Sequence, residues 1–261
     1  MPRFEPSPER RPALIAGASS GIGAATAVAL AALGHPVALG ARRVDKCQEL
    51  AEKIQADGGT AFAARLDVTD TASVDEFAVA AEAALGPTEI LVSGAGDIEF
   101  GPIHAMDPDR FMHQIGVHLG GAHRLVHRVL PGMLARQRGD VVLIGSDCAP
   151  EPRPLTGAYS AAKAGLEAMA MQLRMELEGS GVRASVVRPG PTLTGMGMNS
   201  TPEVLGPMLT AWKDWGFARH PYMLRAEDLA AAIVAVVSAP RGAHLVLVEV
   251  QPEAPLREDE S

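Results

Sequence analysis

Tyr159-Ser160-Ala161-Ala162-Lys163 sets a phenol and an ammonium group at positions i and i+4, on one face of any helix that carries them. The chain has 2 tyrosines and few lysines, so this spacing arises by chance at a rate of roughly 3%. A neighbouring ammonium favours the phenolate and draws a tyrosine from its usual value near 10 toward working pH. Such a tyrosine can give a proton to a carbonyl oxygen or take one from an alcohol. Ser146 follows the apolar run ending Ile144-Gly145, and its hydroxyl can hydrogen-bond the same oxygen. The competing reading of Ser146 is an ordinary turn serine.

A second cluster has a different use. Gly17-Ala18-Ser19-Ser20-Gly21-Ile22-Gly23 lies between an apolar run and an Ala-rich helical pattern. Glycines there permit a tight turn and close approach of the backbone to a pyrophosphate. The helix N-terminus adds free N–H groups and the positive end of its dipole. The next apolar run closes as Ala38-Leu39-Gly40-Ala41 and meets Arg42-Arg43, with no carboxylate to accept from ribose hydroxyls. Two guanidiniums at that point suit a 2′-phosphate, which favours NADP(H) over NAD(H), with Arg42 the preferred partner. The alternative is that both arginines are solvated helix-entry residues. Asp67, with Val68 beside it, is placed to accept from an adenine amino group. Ser93-Gly94-Ala95-Gly96 offers a second glycine turn on the cofactor side.

The elements that position these residues alternate along the chain. Strands are expected at 13–16, 37–40, 61–66, 90–93, 141–145, 183–188 and 244–248. Helices are expected at 21–33, 45–56, 71–85, 108–136, 158–178 and 226–238, the long one irregular at Pro131-Gly132. Continuous apolar strands separated by helices imply an α/β fold. The expectation is a single doubly wound Rossmann domain over 13–250, with a parallel sheet of about seven strands and helices on both faces. Residues 1–12 and 251–261, rich in Pro, Glu and Arg, read as tails that bury little.

Composition narrows the function classes. Hydrophobic residues make up 47%, aromatics 4%, and formal net charge is -8, so nothing in the chain presents a broad basic surface for nucleic acid. No apolar stretch reaches membrane-spanning length, and the proline-broken start carries no apolar signal core. Cys47 and Cys148 form no CxxC and support no zinc site or disulfide framework; a reducing cytoplasm is the expected location. His113, His118, His123 and His127 share one helical segment, with His123 and His127 spaced as a metal pair. No carboxylate or cysteine completes a set, so packing or interface roles are expected and no metal.

In order and spacing, Gly17-x3-Gly21-x-Gly23, Asp67, Gly94-Ala95-Gly96, Ser146, Tyr159-x3-Lys163 and Pro189-Gly190 resemble the short-chain dehydrogenase/reductase family in its compact single-domain branch. The resemblance covers about residues 12–250. It implies a Rossmann fold, hydride transfer at nicotinamide C4, and a homodimer or homotetramer. It makes Tyr159 the acid/base and Ser146 the group orienting the carbonyl. Lys163 holds the nicotinamide ribose and lowers the tyrosine. Pro189, Gly190, Thr192 and Thr194 cover the carboxamide.

Three positions depart from the family pattern: Ala16 stands for a threonine, Ser93 for an asparagine, and His118 for the asparagine that helps hold a relay water. An imidazole can donate and accept, so His118 can replace that asparagine with a pH dependence of its own; the alternative is a buried, satisfied histidine. Residues 192–222 form the expected substrate lid. Met196, Met198, Met208, Leu209, Trp212, Trp215, Phe217 and Tyr222 suit a bulky hydrophobic ketone or alcohol. The expected function is an NADP(H)-dependent oxidoreductase interconverting a ketone or aldehyde and an alcohol. The alternative is a cofactor-binding sensor or scaffold with little turnover, and Tyr159→Phe separates the two.

Overall fold

A computed structural model describes residues 7–196, 201–217 and 220–256. Met198 therefore lies outside the described residues. Seven strands build one parallel sheet: β1 (Ala13–Ala16), β2 (Val37–Ala41), β3 (Ala61–Arg65), β4 (Ile90–Ser93), β5 (Gly139–Ile144), β6 (Val182–Pro189) and β7 (Leu247–Val250). Their order is β3-β2-β1-β4-β5-β6-β7, with every neighbouring pair parallel.

The helices are α1 (Gly21–Ala32), α2 (Val44–Ala56), α3 (Thr71–Leu85), α4 (Pro108–Ile115), α5 (Gly121–Ala135), α6 (Gly157–Glu176), α7 (Pro202–Asp214) and α8 (Ala226–Ser238). Strand residues alternate between two faces, so the sheet has two cores. Leu14, Ala16, Leu91, Val141 and Leu143 meet Phe77 of α3, Leu125 of α5 and Leu166 of α6. Ala13, Ile15, Val37, Leu39 and Val92 meet Leu30 of α1, Ile54 of α2 and Ile233 of α8. The order in which strands are added reverses between β1 and β4, and such a switch point opens a crevice at the carboxyl ends of the strands.

Three details differ from the sequence expectations. The break in the long helix is not at Pro131-Gly132, since α5 runs through Pro131. It lies at a π-helical turn, Gly116–Gly120, whose extra residue turns Val117 and His118 inward. The last strand sits at Leu247–Val250 because it registers on Val186–Pro189 of β6, a choice that local pattern leaves open. The 192–222 segment, expected as a lid, contains a helix, α7, not foreseen as an element.

The N-terminal tail also does more than expected. Arg11 is only 3% exposed, ion-paired with Asp140 of β5 and hydrogen-bonded to the Val237 carbonyl at 2.6 Å. Arg183 of β6 holds the same carboxylate, at 2.6 Å from Nε and 3.1 Å from Nη2. Buried charges must be paired, and Asp140 finds its partners on a tail and on a neighbouring strand.

Candidate active site

The loop after β1 and the loop after β4 lie back to back at the crevice. Gly17 adopts φ +86°, and a Cβ there would stand 2.7 Å from the Gly94 carbonyl oxygen and 2.8 Å from Ala95 Cα. A Cβ on Gly23 would lie 2.4 Å from the Gly17 oxygen, so α1 packs directly on its own loop. Glycine is thus required by left-handed backbone at Gly17 and by close approach at both. The Gly94 N–H donates to Ala16 O at 3.0 Å, which locks the two turns together. Ser20 caps α1 in extended conformation without a side-chain capping bond, and the first-turn N–H groups of Gly21, Ile22 and Gly23 point along the helix axis toward this loop.

The two guanidiniums after β2 differ in placement. Arg43 donates to Ser19 Oγ at 3.0 Å and Ser20 Oγ at 2.7 Å, so its charge rests on the glycine loop. Arg42 is exposed and near enough to Asp67 to help hold that carboxyl below its usual range, after the Thr69 hydroxyl. Asp67 Oδ1 is occupied by the Thr69 N–H and hydroxyl, at 3.0 and 2.7 Å. The Val68 side chain is buried against Gly121 in the core. At the other end of the crevice Thr194 lies 3.3 Å from the Cβ position of Gly21, Thr192 donates to Gly190 O at 2.8 Å, and the Gly190 N–H donates to Val250 O at 2.8 Å. Residues 189–194 thereby close over the loop from the β6 side.

Ser146, Tyr159 and Lys163 lie beneath, at the carboxyl end of β5. Ser146 follows β5, is buried, and accepts from the Cys148 N–H at 3.1 Å. Tyr159 and Lys163 share one face of α6, with Lys163 Nζ 5.6 Å from the phenol ring centroid. Lys163 donates to Ile144 O at 2.7 Å, and burial lowers its pKa to about 8. Burial pushes the Tyr159 phenol up, with a hydrogen bond to Ser146 pulling the other way. The sequence expectation of a tyrosine lowered by Lys163 therefore needs revision. Here desolvation by burial is the largest influence on the phenol, and Lys163 directs one of its three donors to the end of β5.

Around Cys148 burial likewise raises the thiol to about 11, which leaves it inert as a nucleophile.

His118 sits edge-on to Tyr159, centroids 5.1 Å apart, with Nε2 2.6 Å from the Asp97 carbonyl oxygen. A carbonyl accepts only, so Nε2 carries the proton and Nδ1 is left as an acceptor. That Nδ1 is buried without a partner. Burial, then the nearby Lys163 charge, lowers His118 to about 3. The expectation that His118 brings a physiological pH dependence is corrected: it stays neutral. Gly96 is the counterpart of this ring, since a Cβ there would fall 2.4 Å from His118 Cε1.

Short-range sequence patterns missed the partners that hold these groups: the carbonyls of Asp97 and Ile144, and an ion pair between Asp147 and Arg153. Backbone carbonyls carry no residue signature. Asp147 and Arg153 lie in a turn with no helical or strand period to mark them.

The family model for short chain dehydrogenase matches residues 11–204. The chain belongs to the short-chain dehydrogenase/reductase family. It is 38% identical over 239 residues to a glycine betaine reductase of Emericella nidulans, covering 91% of this chain and 18% of that protein. It is 33% identical over 188 residues to the 2,3-dihydro-2,3-dihydroxybenzoate dehydrogenase of Bacillus subtilis, covering 72% of each. The chain thus spans under a fifth of the fungal reductase. Among solved structures it is similar to a metagenomic short-chain oxidoreductase in complex with NADP. That match has a TM-score of 0.78 and 30% identity, covering 94% of this chain and 98% of the other. No helix among the described residues is long and apolar enough to cross a membrane, and no group of three or more potential metal ligands occurs among them. His123 and His127 stack on the exposed face of α5, centroids 6.1 Å apart.

Proposed function

We propose that this member of the family is an NADP(H)-dependent oxidoreductase that interconverts a ketone or aldehyde and an alcohol on a bulky hydrophobic substrate. The observation that carries this reading is the convergence of Ser146, Tyr159 and Lys163 at the carboxyl end of β5, beside a glycine cradle that a single Cβ would fill.

The cradle fits a dinucleotide. Gly17 and Gly23 leave the backbone bare for a pyrophosphate, and Arg43, held over Ser19 and Ser20, presents a fork to a 2′-phosphate. Arg42 adds a second cation at the rim, and Asp67 Oδ2, which faces the exposed Arg65 guanidinium at 3.9 Å, is the carboxylate oxygen for the adenine side. Bound there, the nicotinamide supplies or accepts the hydride.

The chain's own residues handle the proton and the orientation. Ser146 Oγ donates to the substrate oxygen and fixes its direction. Tyr159, held protonated by its desolvated surroundings, gives its proton to that oxygen during reduction. In the oxidative direction it must take the proton up, which calls on the Lys163 charge. His118 Nδ1 accepts from a water on the Lys163 side, the position where the family uses an asparagine.

Support for an apolar substrate comes from Phe100, Trp212 and Phe217, which gather above the 153–154 segment. Met208 packs inward, while Met196, Leu209, Trp215 and Tyr222 are exposed. Met171 and Met175, exposed on α6, suit association with a second copy, so a homodimer or homotetramer is the expected state; light scattering coupled to size exclusion reads it.

The test is NADPH oxidation by the purified protein across hydrophobic ketones and aldehydes, with Tyr159→Phe alongside. Loss of turnover with retained NADPH affinity supports a tyrosine-dependent carbonyl reductase. Turnover unchanged in Tyr159→Phe overturns the assignment. NADPH binding without turnover by the wild type across the panel favours the sensor reading.

A further inference from the structure

Arg153 has no role in the chemistry above, yet its side chain is among the least exposed of the chain's arginines. It ion-pairs with Asp147, side-chain exposures 10% and 11%, and its Nε is buried without a partner. Its guanidinium lies 5.1 Å from the Trp212 ring centroid and 5.8 Å from that of Phe217. Both rings belong to the lid. Next to it, Trp212 Nε1 donates to Pro154 O at 2.9 Å, and Trp212 meets Phe100 edge-on at 6.2 Å. Helix α7 fully buries only Met208, with Val204, Leu205 and Ala211 half-buried, so the Trp212 contacts are a large share of what holds it.

On its other side the same arginine reaches the reacting groups. Asp147 directly follows Ser146, and its Oδ1 lies 3.5 Å from Ser146 Oγ. The backbone N–H of Arg153 donates to Thr156 Oγ1 at 3.3 Å, and that hydroxyl meets Ser160 Oγ at 2.9 Å, in the turn of α6 that carries Tyr159. The charges of Asp147 and Arg153 act on Tyr159 with opposite signs.

We infer that Arg153 is a positioning residue that clasps lid helix α7 to the Ser146–Cys148 turn, so that seating of the aromatic lid and orientation of the serine hydroxyl occur together. The physical basis is that one planar cation serves two surfaces. Its charge lies within cation–π range of Trp212 and Phe217, and it neutralises Asp147 in a desolvated site. Without it, Asp147 becomes an unpaired buried carboxylate that recruits water to the turn, and the lid loses the surface it rests on. The catalytic consequence builds on the reductase reading given above; the clasp itself does not need it.

The experiment uses Arg153→Met in the full chain, with a Trp215→Phe background so that Trp212 alone emits; Trp215 is 73% exposed. Two measurements need no substrate. The lid is followed by acrylamide quenching of Trp212 and by the rate of tryptic cleavage after Lys213. The turn is followed by alkylation of Cys148, quantified by mass spectrometry against Cys47, which is buried in the core between the sheet and α1, α2 and α8 and reports global unfolding.

The expected result is faster quenching, and roughly tenfold faster cleavage and Cys148 alkylation, with Cys47 unchanged. For a carbonyl substrate that the wild type reduces, kcat/KM falls roughly 10- to 100-fold while NADPH affinity holds within about twofold. Wild-type behaviour of either the lid or Cys148 overturns the clasp. A wild type that reduces no carbonyl defeats the reductase reading, while the quenching and alkylation results still decide the clasp. If Cys47 reacts too, Arg153→Lys replaces the methionine variant. It keeps a charge for Asp147 but has no planar face for the rings, so a smaller shift in the same direction supports the clasp, and none overturns it.

Discussion

Replacing His118 by asparagine tests the electrostatic reading of the site in a way that needs no substrate. In the unfolded chain this histidine titrates near its ordinary value of 6.5, whereas in the fold burial and Lys163 hold it at about 3. A folded-state pKa lowered on a basic group means that the unfolded chain binds the extra proton first. Stability is therefore full at neutral pH and declines as pH falls through 6.5 toward 3. Between about pH 7.5 and pH 5 proton binding favours the unfolded over the folded state by about 1.5 further log units, worth about 2 kcal/mol at 1.36 kcal/mol per unit. His35 and His244 are also lowered by burial and slope the same way, so the wild-type decline exceeds this figure. Lys163 is already protonated in both states below its value of about 8 and drops out of this window. The quantity to measure is the difference between wild type and His118→Asn in urea-unfolding free energy at the two pH values. The variant is expected to lose the bond to Asp97 O, about 1 kcal/mol at neutral pH, and to be flatter by about 2 kcal/mol between the two. Parallel pH slopes would mean that His118 is solvated or protonated in the fold. The acceptor role of its Nδ1 would fall with that result.

Three further expectations follow from named contacts. Arg43→Ala and Arg42→Ala should each weaken NADPH binding roughly tenfold or more while sparing NADH, read by fluorescence titration; equal losses for both nucleotides refute the 2′-phosphate assignment. Gly17→Ala pushes a Cβ to 2.7 Å from the Gly94 oxygen in left-handed backbone, so NADPH binding should vanish and stability fall by about 1–3 kcal/mol; retained binding would mean the two loops do not meet. Asp140→Ala strands the Arg11 and Arg183 guanidiniums, 3% and 9% exposed, and should cost about 3–5 kcal/mol, with Tm lower by roughly 10 °C; a loss under about 1 kcal/mol would show that the tail is not anchored there.

What could be read before folding follows the range of the interactions involved. The strands of the nucleotide half are runs such as Ala13–Ala16 and Ile90–Ser93, buried throughout, and the loop glycines answer to backbone needs a few residues away. Tyr159 and Lys163 were visible because helix geometry turns sequence spacing into proximity. The π turn at Gly116–Gly120 was not, because its cause is distant: His118 must reach Asp97 O and lie against Gly96 and Tyr159. Local propensity sees only Pro131, whose ring α5 absorbs.

Charge is placed by the fold at three points that local pattern does not mark: Arg11, expected in a tail that buries little, Lys163, expected to face the tyrosine and the nicotinamide ribose, and Arg153, for which the sequence carries no signal. In the fold each is withdrawn from water and bound to an acceptor contributed by another part of the chain: Asp140 on β5, Ile144 O at its end, and Asp147 just beyond it. All three acceptors lie on one strand and its exit turn. β5 is flanked by β4 and β6 and covered on both faces, so a polar group at either end must be met by whatever the fold brings there. The arginine at the entrance serves stability, and the cations at the exit sit within reach of Ser146 and Tyr159. One buried strand thus dictates both where the N-terminal segment is anchored and where the proton-handling groups can be assembled.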